Sequence, residues 1–348
     1  MKRCIKCIMP ETAKGIILDA NGLCQLCKNY KPYMPKGEEA LRNEIQPYLT
    51  THSEYDCLVP LSGGRDSTYA LYYTKKVLKL KPLAMHNDND FVTDVATANL
   101  EITTKQLDVP LIRMGSKNHL SKKIVREKFI MNARFGAGLV VDQTCEACKY
   151  GFESAAYNMA RKHNIALIFW GDSVEESTEQ FHDLSAHTHP SRCKRLLSPT
   201  MLNYIRYKYN FCKMKKEYGQ NSKQGLKEIH LYDYIKWDRR VIIETIKKEV
   251  GWTVPENAVT TWRTDCSLVP IVNYLTGKAY GVTKMELGFS NMIRSGKMDR
   301  EEALRQVELI RKNWNIERAK NLLNEIGIPQ KIIDAVLGLI STDHCCNC

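Results

Sequence analysis

Residues 56–73 read DCLVPLSGGRDSTYALYY: an apolar run, two glycines, then a pattern with helical spacing. A short apolar run bounded by turn residues reads as a buried strand. Its junction with the helix, Ser62–Thr68, admits two readings. One is a tight strand-to-helix turn with a polar cap. The other is an anion cradle. Paired glycines turn the backbone tightly and leave amide hydrogens exposed, and the next helix aims its positive dipole end at the same point. The hydroxyls of Ser62, Ser67 and Thr68 add donors, which completes a phosphate site.

The flanking sequence repeats this grammar. "KPLAMHND", "VPLIRMG" and "IALIFWGDS" read as further strands, with helices expected over 66–78, 93–107, 119–133 and in "CEACKYGFESAAYNMARKHN". Such alternation predicts an α/β fold, a parallel sheet with helices on both faces. Ligands on these sheets sit beyond the carboxyl ends of the strands. The positions to watch are therefore Ser62–Thr68, Asn87–Asp90 and Gly171–Ser173.

A chain of 348 residues suits one main domain with appendages, divided here as 1–30, 50–235 and a helical C-terminal region, 236–348. No stretch approaches the roughly 20 apolar residues of a membrane span, and no basic leader precedes an apolar run. A cytoplasmic protein is the expectation. The net charge of +12 points towards anionic partners such as nucleotides, nucleotide sugars or RNA. Within 190–235, "YIRYKYNFCKMKKEYGQNSKQGLK" interleaves bases with tyrosines; it reads either as a nucleic-acid surface or as a solvated helix with a tyrosine packing face.

Thirteen cysteines argue for metal or sulfur chemistry. Cys4, Cys7, Cys24 and Cys27 follow C-x2-C-x16-C-x2-C, with the turn "DANG" between the pairs, and predict a closed structural zinc site in a ribbon. Cys145 and Cys148 open a helix, and Cys266 is a plausible third member. Three thiolates there would suit an iron–sulfur cluster with one open iron; a zinc site and buried inert thiols are the competing readings. Cys345, Cys346 and Cys348 end the sequence as a metal-binding tag, a sulfur relay or an exposed oxidation-prone end.

The loop is not the Walker type, which needs G-x4-G-K-[ST]. Its S-G-G-x-D-S pattern resembles the PP-loop ATP pyrophosphatases. The resemblance implies a five-stranded sheet of the adenine nucleotide alpha hydrolase-like kind and an adenylation that yields AMP and pyrophosphate. Ser62, Gly63, Gly64, Arg65, Asp66, Ser67 and Thr68 would hold the ATP pyrophosphate, with Mg2+ in attendance. Asn87 and Asp88 would lie near the adenosine, and Gly171 and Asp172 would border the reaction centre. Ser62, Asp66 and Asp172 form the expected catalytic set, Asp66 either capping its helix or holding the magnesium.

A longer resemblance runs through "CIKCIMPET…GIILDANGLCQLCKNY", "DCLVPLSGGRDS" and, at 289–304, "FSNMIRSGKMDREEAL". Together, in this order, they are similar to the N-acetyl sugar amidotransferases of surface-polysaccharide biosynthesis, including lipopolysaccharide. This implies that ATP activates a sugar acetamido group and ammonia converts it to an acetamidino group, on a nucleotide-sugar or lipid-linked acceptor. The sequence shows no N-terminal-nucleophile glutaminase and no G-x-C-x-G elbow, so separate glutaminase and cyclase-like subunits, like those of imidazole glycerol phosphate synthase, are the implied partners. Two features depart from the pattern: the terminal cysteines, and "GDSVEES" where "GE" is expected. They keep open an alternative, a cluster-dependent (4Fe-4S) PP-loop sulfurtransferase acting on tRNA or a small molecule.

Overall fold

A computed structural model describes residues 2–49, 53–115, 117–133, 145–173, 199–219, 221–256, 258 and 260–338. The terminal cysteines and residues 174–177 of "GDSVEES" lie outside these. Five strands, β1 (Cys57–Pro60), β2 (Pro82–Asp88), β3 (Leu111–Gly115), β4 (Leu167–Trp170) and β5 (Lys227–His230), form one sheet. Its order is β3-β2-β1-β4-β5 and every pairing is parallel. The chain winds one way from β1 to β3 and the other way through β4 and β5. The reversal at β1 is the topological switch, where such sheets bind ligands.

The strands alternate between two buried faces, as a sheet covered on both sides requires. Cys57, Val59, Ala84, Leu167 and Phe169 enter one apolar cluster, while Leu58, Leu83, Met85, Ile168 and Trp170 enter another. Helix α1 (Gln25–Lys28) belongs to the cysteine-rich segment and α2 (Glu38–Ile45) follows it. The sheet connections carry α3 (Arg65–Tyr72), α4 (Asp94–Leu107), α5 (Leu120–Ala133), α6 (Glu146–Lys162) and α7 (Pro199–Tyr218). The single helix expected over 66–78 is in fact α3 followed by a π-helical turn, Tyr73–Val77, closed by Leu78 N–H donating to Tyr73 O at 2.9 Å.

Beyond β5 come α8 (Arg239–Val250), α9 (Val269–Tyr280), α10 (Lys284–Arg294), α11 (Arg300–Lys312), α12 (Ile316–Glu325) and α13 (Gln330–Leu337). Trp237, Ile242, Ile246 and Trp252 pack into the same cluster as Val59 and Leu71, so this helical region shares the core of the sheet. A third cluster joins Cys4, Cys7, Cys24 and Cys27 to Leu275, Tyr280 and Leu287. Among the described residues, no helix is long and apolar enough to cross a membrane.

Candidate active site

The Ser62–Thr68 turn stands at the carboxyl end of β1, with Gly63 at φ +82° and Gly64 as the extended residue before α3. Gly63 is packed against α4: a Cβ there would lie 2.3 Å from Ala96 O, so only glycine fits. Its carbonyl is pinned, accepting from Trp252 Nε1 at 3.0 Å and Asn99 Nδ2 at 3.2 Å. With that oxygen turned into the protein, the loop is fixed before any ligand arrives. Ser62 Oγ accepts from Gly64 N–H at 3.2 Å and lies 3.1 Å from Ser67 Oγ, which in turn accepts from Ser62 N–H. Beneath, buried His86 donates from Nδ1 to Leu61 O at 2.9 Å, and burial lowers its pKa, keeping the ring neutral.

Asp66 makes no capping bond. Arg65, itself buried, grips it through Nε at 3.0 Å and Nη2 at 2.7 Å, and Trp237 Nε1 donates to Oδ1 at 3.1 Å. Arg65 also donates to Thr261 Oγ1 and lies 5.1 Å from the Trp237 ring centre. A second carboxylate reaches the turn from far along the chain. A Cβ on Gly64 would lie 3.4 Å from Asp265 Oδ2. Residues 264–267 are strapped across the loop after β2: Thr93 Oγ1 donates to Thr264 O and Ser267 N–H to Phe91 O, both at 2.8 Å.

Two buried polar atoms at this edge, Thr68 Oγ1 and Asn87 Oδ1, have no hydrogen-bond partner among the described residues. Buried polar groups are nearly always paired, so these two suit a bound polar molecule. Asp88, one residue on, is exposed, and its Oδ1 accepts from Asp90 N–H. Gly171 lets the exit of β4 approach α3, since a Cβ would lie 2.7 Å from Asp66 O. Asp172 pairs with His230 at the end of β5: Nδ1 is 2.9 Å from Oδ1 and 3.0 Å from Oδ2, and this bond raises the His230 pKa.

Cys145, Cys148 and Cys266 come into one neighbourhood with Arg263. Burial, then the charges of Cys145 and Cys266, push the Cys148 thiol up; burial pushes Cys266 up to about 11, opposed by Arg263. Cys266 is held there by a bridge to Val92. Among the described residues, however, the only group of three or more metal-type ligands whose atoms all lie within 4.8 Å is Cys4, Cys7, Cys24 and Cys27.

These four are buried, with Cys4 and Cys27 sulfurs 3.7 Å apart and Cys7 and Cys24 sulfurs 3.8 Å apart. A tetrahedron with Zn–S of about 2.3 Å has edges of about 3.8 Å, so the set fits zinc. Met9 N–H donates to Cys7 Sγ and Cys24 N–H to Cys4 Sγ, the outer bonds such sites use. Thiol hydrogen bonds from Cys24 and Cys27 hold Cys7 down at about 2. The knuckle is clasped from α10 and α11: Arg294 Nη1 lies 3.6 Å from Cys7 Sγ, and Arg300 donates to Cys7 O at 3.1 Å and Cys4 O at 3.2 Å.

Comparison with known proteins bears on this C-terminal part. Residues 256–344 match the family described as LPS biosynthesis protein WbpG-like, C-terminal domain. The surface-polysaccharide resemblance read from the sequence is borne out here, and the matched segment supplies Asp265, Cys266 and both arginines of the clasp. An uncharacterized protein of Methanocaldococcus jannaschii, MJ1599, is 30% identical over 115 residues, 32% of this chain and 41% of its own. The match thus spans about two fifths of that relative. Two solved structures are similar at 12% identity and a TM-score of 0.36: the U34-tRNA thiolase NcsA from Methanococcus maripaludis with its 4Fe-4S cluster (88% of this chain, 89% of that one), and NMN synthetase from Francisella tularensis (80% and 95%).

Three contributors were not legible in advance. Asp265 sits beside Cys266 but carries no motif of its own. His230 lies in a segment without a recognisable pattern, and Trp237 reads as ordinary core. Only folding brings Asp265 and Trp237 to the loop and His230 to Asp172.

Proposed function

We propose that this protein is an ATP-dependent amidotransferase that activates a sugar N-acetyl group and transfers ammonia to it. The observation that carries the reading is the pinned Ser62–Thr68 turn at the switch point of the sheet, its hydroxyls and amides gathered at the start of α3. The WbpG-like match favours a polysaccharide sugar as acceptor.

In this reading the acetamido oxygen attacks the α-phosphorus of ATP and pyrophosphate leaves. Ammonia then adds to the activated carbon, AMP departs with the former acetamido oxygen, and loss of protons leaves the acetamidino group. Gly63, Gly64, Ser62, Ser67 and Thr68 bind and neutralise the pyrophosphate, contributing position and preorganised charge stabilisation. Asn87 orients the nucleoside. Asp265 would hold the magnesium, which would screen the phosphates, because Asp66 is already committed to Arg65 and Trp237. The His230–Asp172 pair takes the proton released as ammonia adds. Ammonia arrives from separate glutaminase and cyclase-like subunits.

A second reading, sulfur transfer, is favoured by the gathering of Cys145, Cys148 and Cys266 beside Arg263. One assay separates the two. Protein purified without oxygen is given ATP, an N-acetylated nucleotide sugar and either 15N-ammonia or sulfide. AMP formation with nitrogen incorporation, lost on Asp265→Asn, is expected. Sulfur incorporation with no nitrogen uptake overturns the amidotransferase reading in favour of the second. A further check is calorimetric: Asp265→Asn should weaken ATP binding in the presence of Mg2+ and leave it nearly unchanged in EDTA.

A further inference from the structure

Helices α5 and α7 lie side by side on one face of the sheet, and a groove opens along them. Its first cavity, about 610 Å3, is lined by His119, Lys122, Lys123, Arg126, Arg206 and Lys213. A second, about 530 Å3, shares Lys123, Asn210 and Lys213 with the first and adds Lys216. Each is of the size that holds a small molecule.

The charge is strongly one-sided. Six cations, Lys122, Lys123, Arg126, Arg206, Lys213 and Lys216, face two carboxylates, Glu127 and Glu217. Glu127 is itself buried and taken by Arg126 and Asn203. Lys122, Lys123, Arg206 and Lys213 form no ion pair among the described residues. Ion pairs outside the groove include Arg3–Glu286 and Lys227–Glu44. Like charges packed into one trough repel one another unless an anion fills it.

The groove also reaches the edge of the sheet where the nucleotide loop stands. At its mouth His119 Nδ1 bonds Asp90 Oδ1 at 2.5 Å, and Lys122 N–H donates to Asp90 Oδ2 at 3.1 Å. Asp90 (φ +69°), Asn118 (φ +57°) and His119 (φ +54°) all hold left-handed backbone without being glycine. Such strain is retained where the surroundings fix it, commonly at functional sites. Asp90 stands two residues beyond β2, so this joint links the trough to the strand end that carries Asn87.

We propose that the α5–α7 groove binds the phosphate groups of a diphosphate ester, the part of the acceptor remote from the reacting group. The assignment of that ester as acceptor rests on the amidotransferase reading; the anion site itself does not. Two phosphates match cations spread over two joined cavities better than one. Met201, Leu202 and Ile205, exposed near the start of α7, suit an ester that carries a bulky organic group beyond its phosphates.

The test uses the full chain and UDP as the probe, followed by calorimetry. Lys123→Gln/Arg206→Gln should weaken UDP binding about tenfold or more, as loss of two charged contacts does. The charge-matched control Lys247→Gln/Lys312→Gln, exposed on α8 and α11 and outside the groove lining, should not. UDP binding should also persist in Gly63→Ala, which disrupts the ATP loop. Groove-dependent binding that appears only with phosphatidylglycerol vesicles, whose headgroup carries a single phosphodiester, overturns the diphosphate assignment. Equal UDP affinity in the groove and control variants, or a groove-dependent affinity confined to oligouridylate RNA, overturns it. Loss of ATP binding alone would count against the nucleotide reading and leave this one intact.

Discussion

Gly63→Ala is the sharpest probe of how the Ser62–Thr68 loop is built. An alanine at φ +82° costs about 1–2 kcal/mol from backbone sterics alone. Its Cβ would also stand 2.3 Å from Ala96 O, where about 3.0 Å is the closest real approach. Loop and α4 must therefore separate, and such overpacking costs about 1–3 kcal/mol. The expected total is about 3 kcal/mol, with the Trp252 and Asn99 bonds to Gly63 O stretched as the loop moves. Gly225 is the matched control: its φ is +76°, and a Cβ there meets nothing within 4 Å, so Gly225→Ala should cost only the backbone share. Urea unfolding of both variants reads the difference, about 2 kcal/mol, and calorimetry reads ATP binding, which Gly63→Ala should lose. If Gly63→Ala is no less stable than Gly225→Ala, or binds ATP like the parent protein, the pinned-loop argument is wrong.

Three further outcomes are expected. Elemental analysis should find about one zinc per chain, reduced by Cys7→Ser; zinc content unchanged by that substitution would refute the four-thiolate assignment. Arg300→Gln removes two charge-assisted bonds to the knuckle carbonyls, so zinc transfer to a chelator should quicken severalfold, whereas Arg305→Gln should leave the rate alone. The Asp172 bond raises the His230 pKa, so the pair stabilises the fold fully below the ordinary histidine value near 6.5 and ceases to do so as pH rises through the raised value. NMR titration of His230 should therefore move to lower pH in Asp172→Asn, and an unmoved titration would show that the pair does not form.

The alternation of apolar runs and helical patterns made four of the five strands readable, because strands buried on both faces leave continuous apolar runs. β5 escaped: "KEIH" lies at the sheet edge, where only Ile229 is fully buried and charged residues flank it. The basic, tyrosine-rich stretch folds as a solvated helix with a tyrosine packing face, since α7 buries Tyr207, Met214 and Tyr218 while exposing Tyr204, Tyr209 and its lysines. The glycine turn was legible because its requirement is local backbone geometry. Asp265, His230 and Trp237 were not, because their role depends on contacts made across long separations. The same reason explains a pattern visible only as coincidence in the sequence: "FSNMIRSGKMDREEAL" accompanies the paired cysteines because Arg294 and Arg300 hold them.

That clasp sets an order of events on the ribosome. Cys7 precedes Arg300 by 293 residues, which at about 5–20 residues per second is roughly 15–60 s of translation. Until then the nascent knuckle has its four sulfurs but lacks the guanidinium groups that seal it. During that interval the four sulfurs stand without their two arginine contacts, and the clasp closes only when synthesis reaches α11.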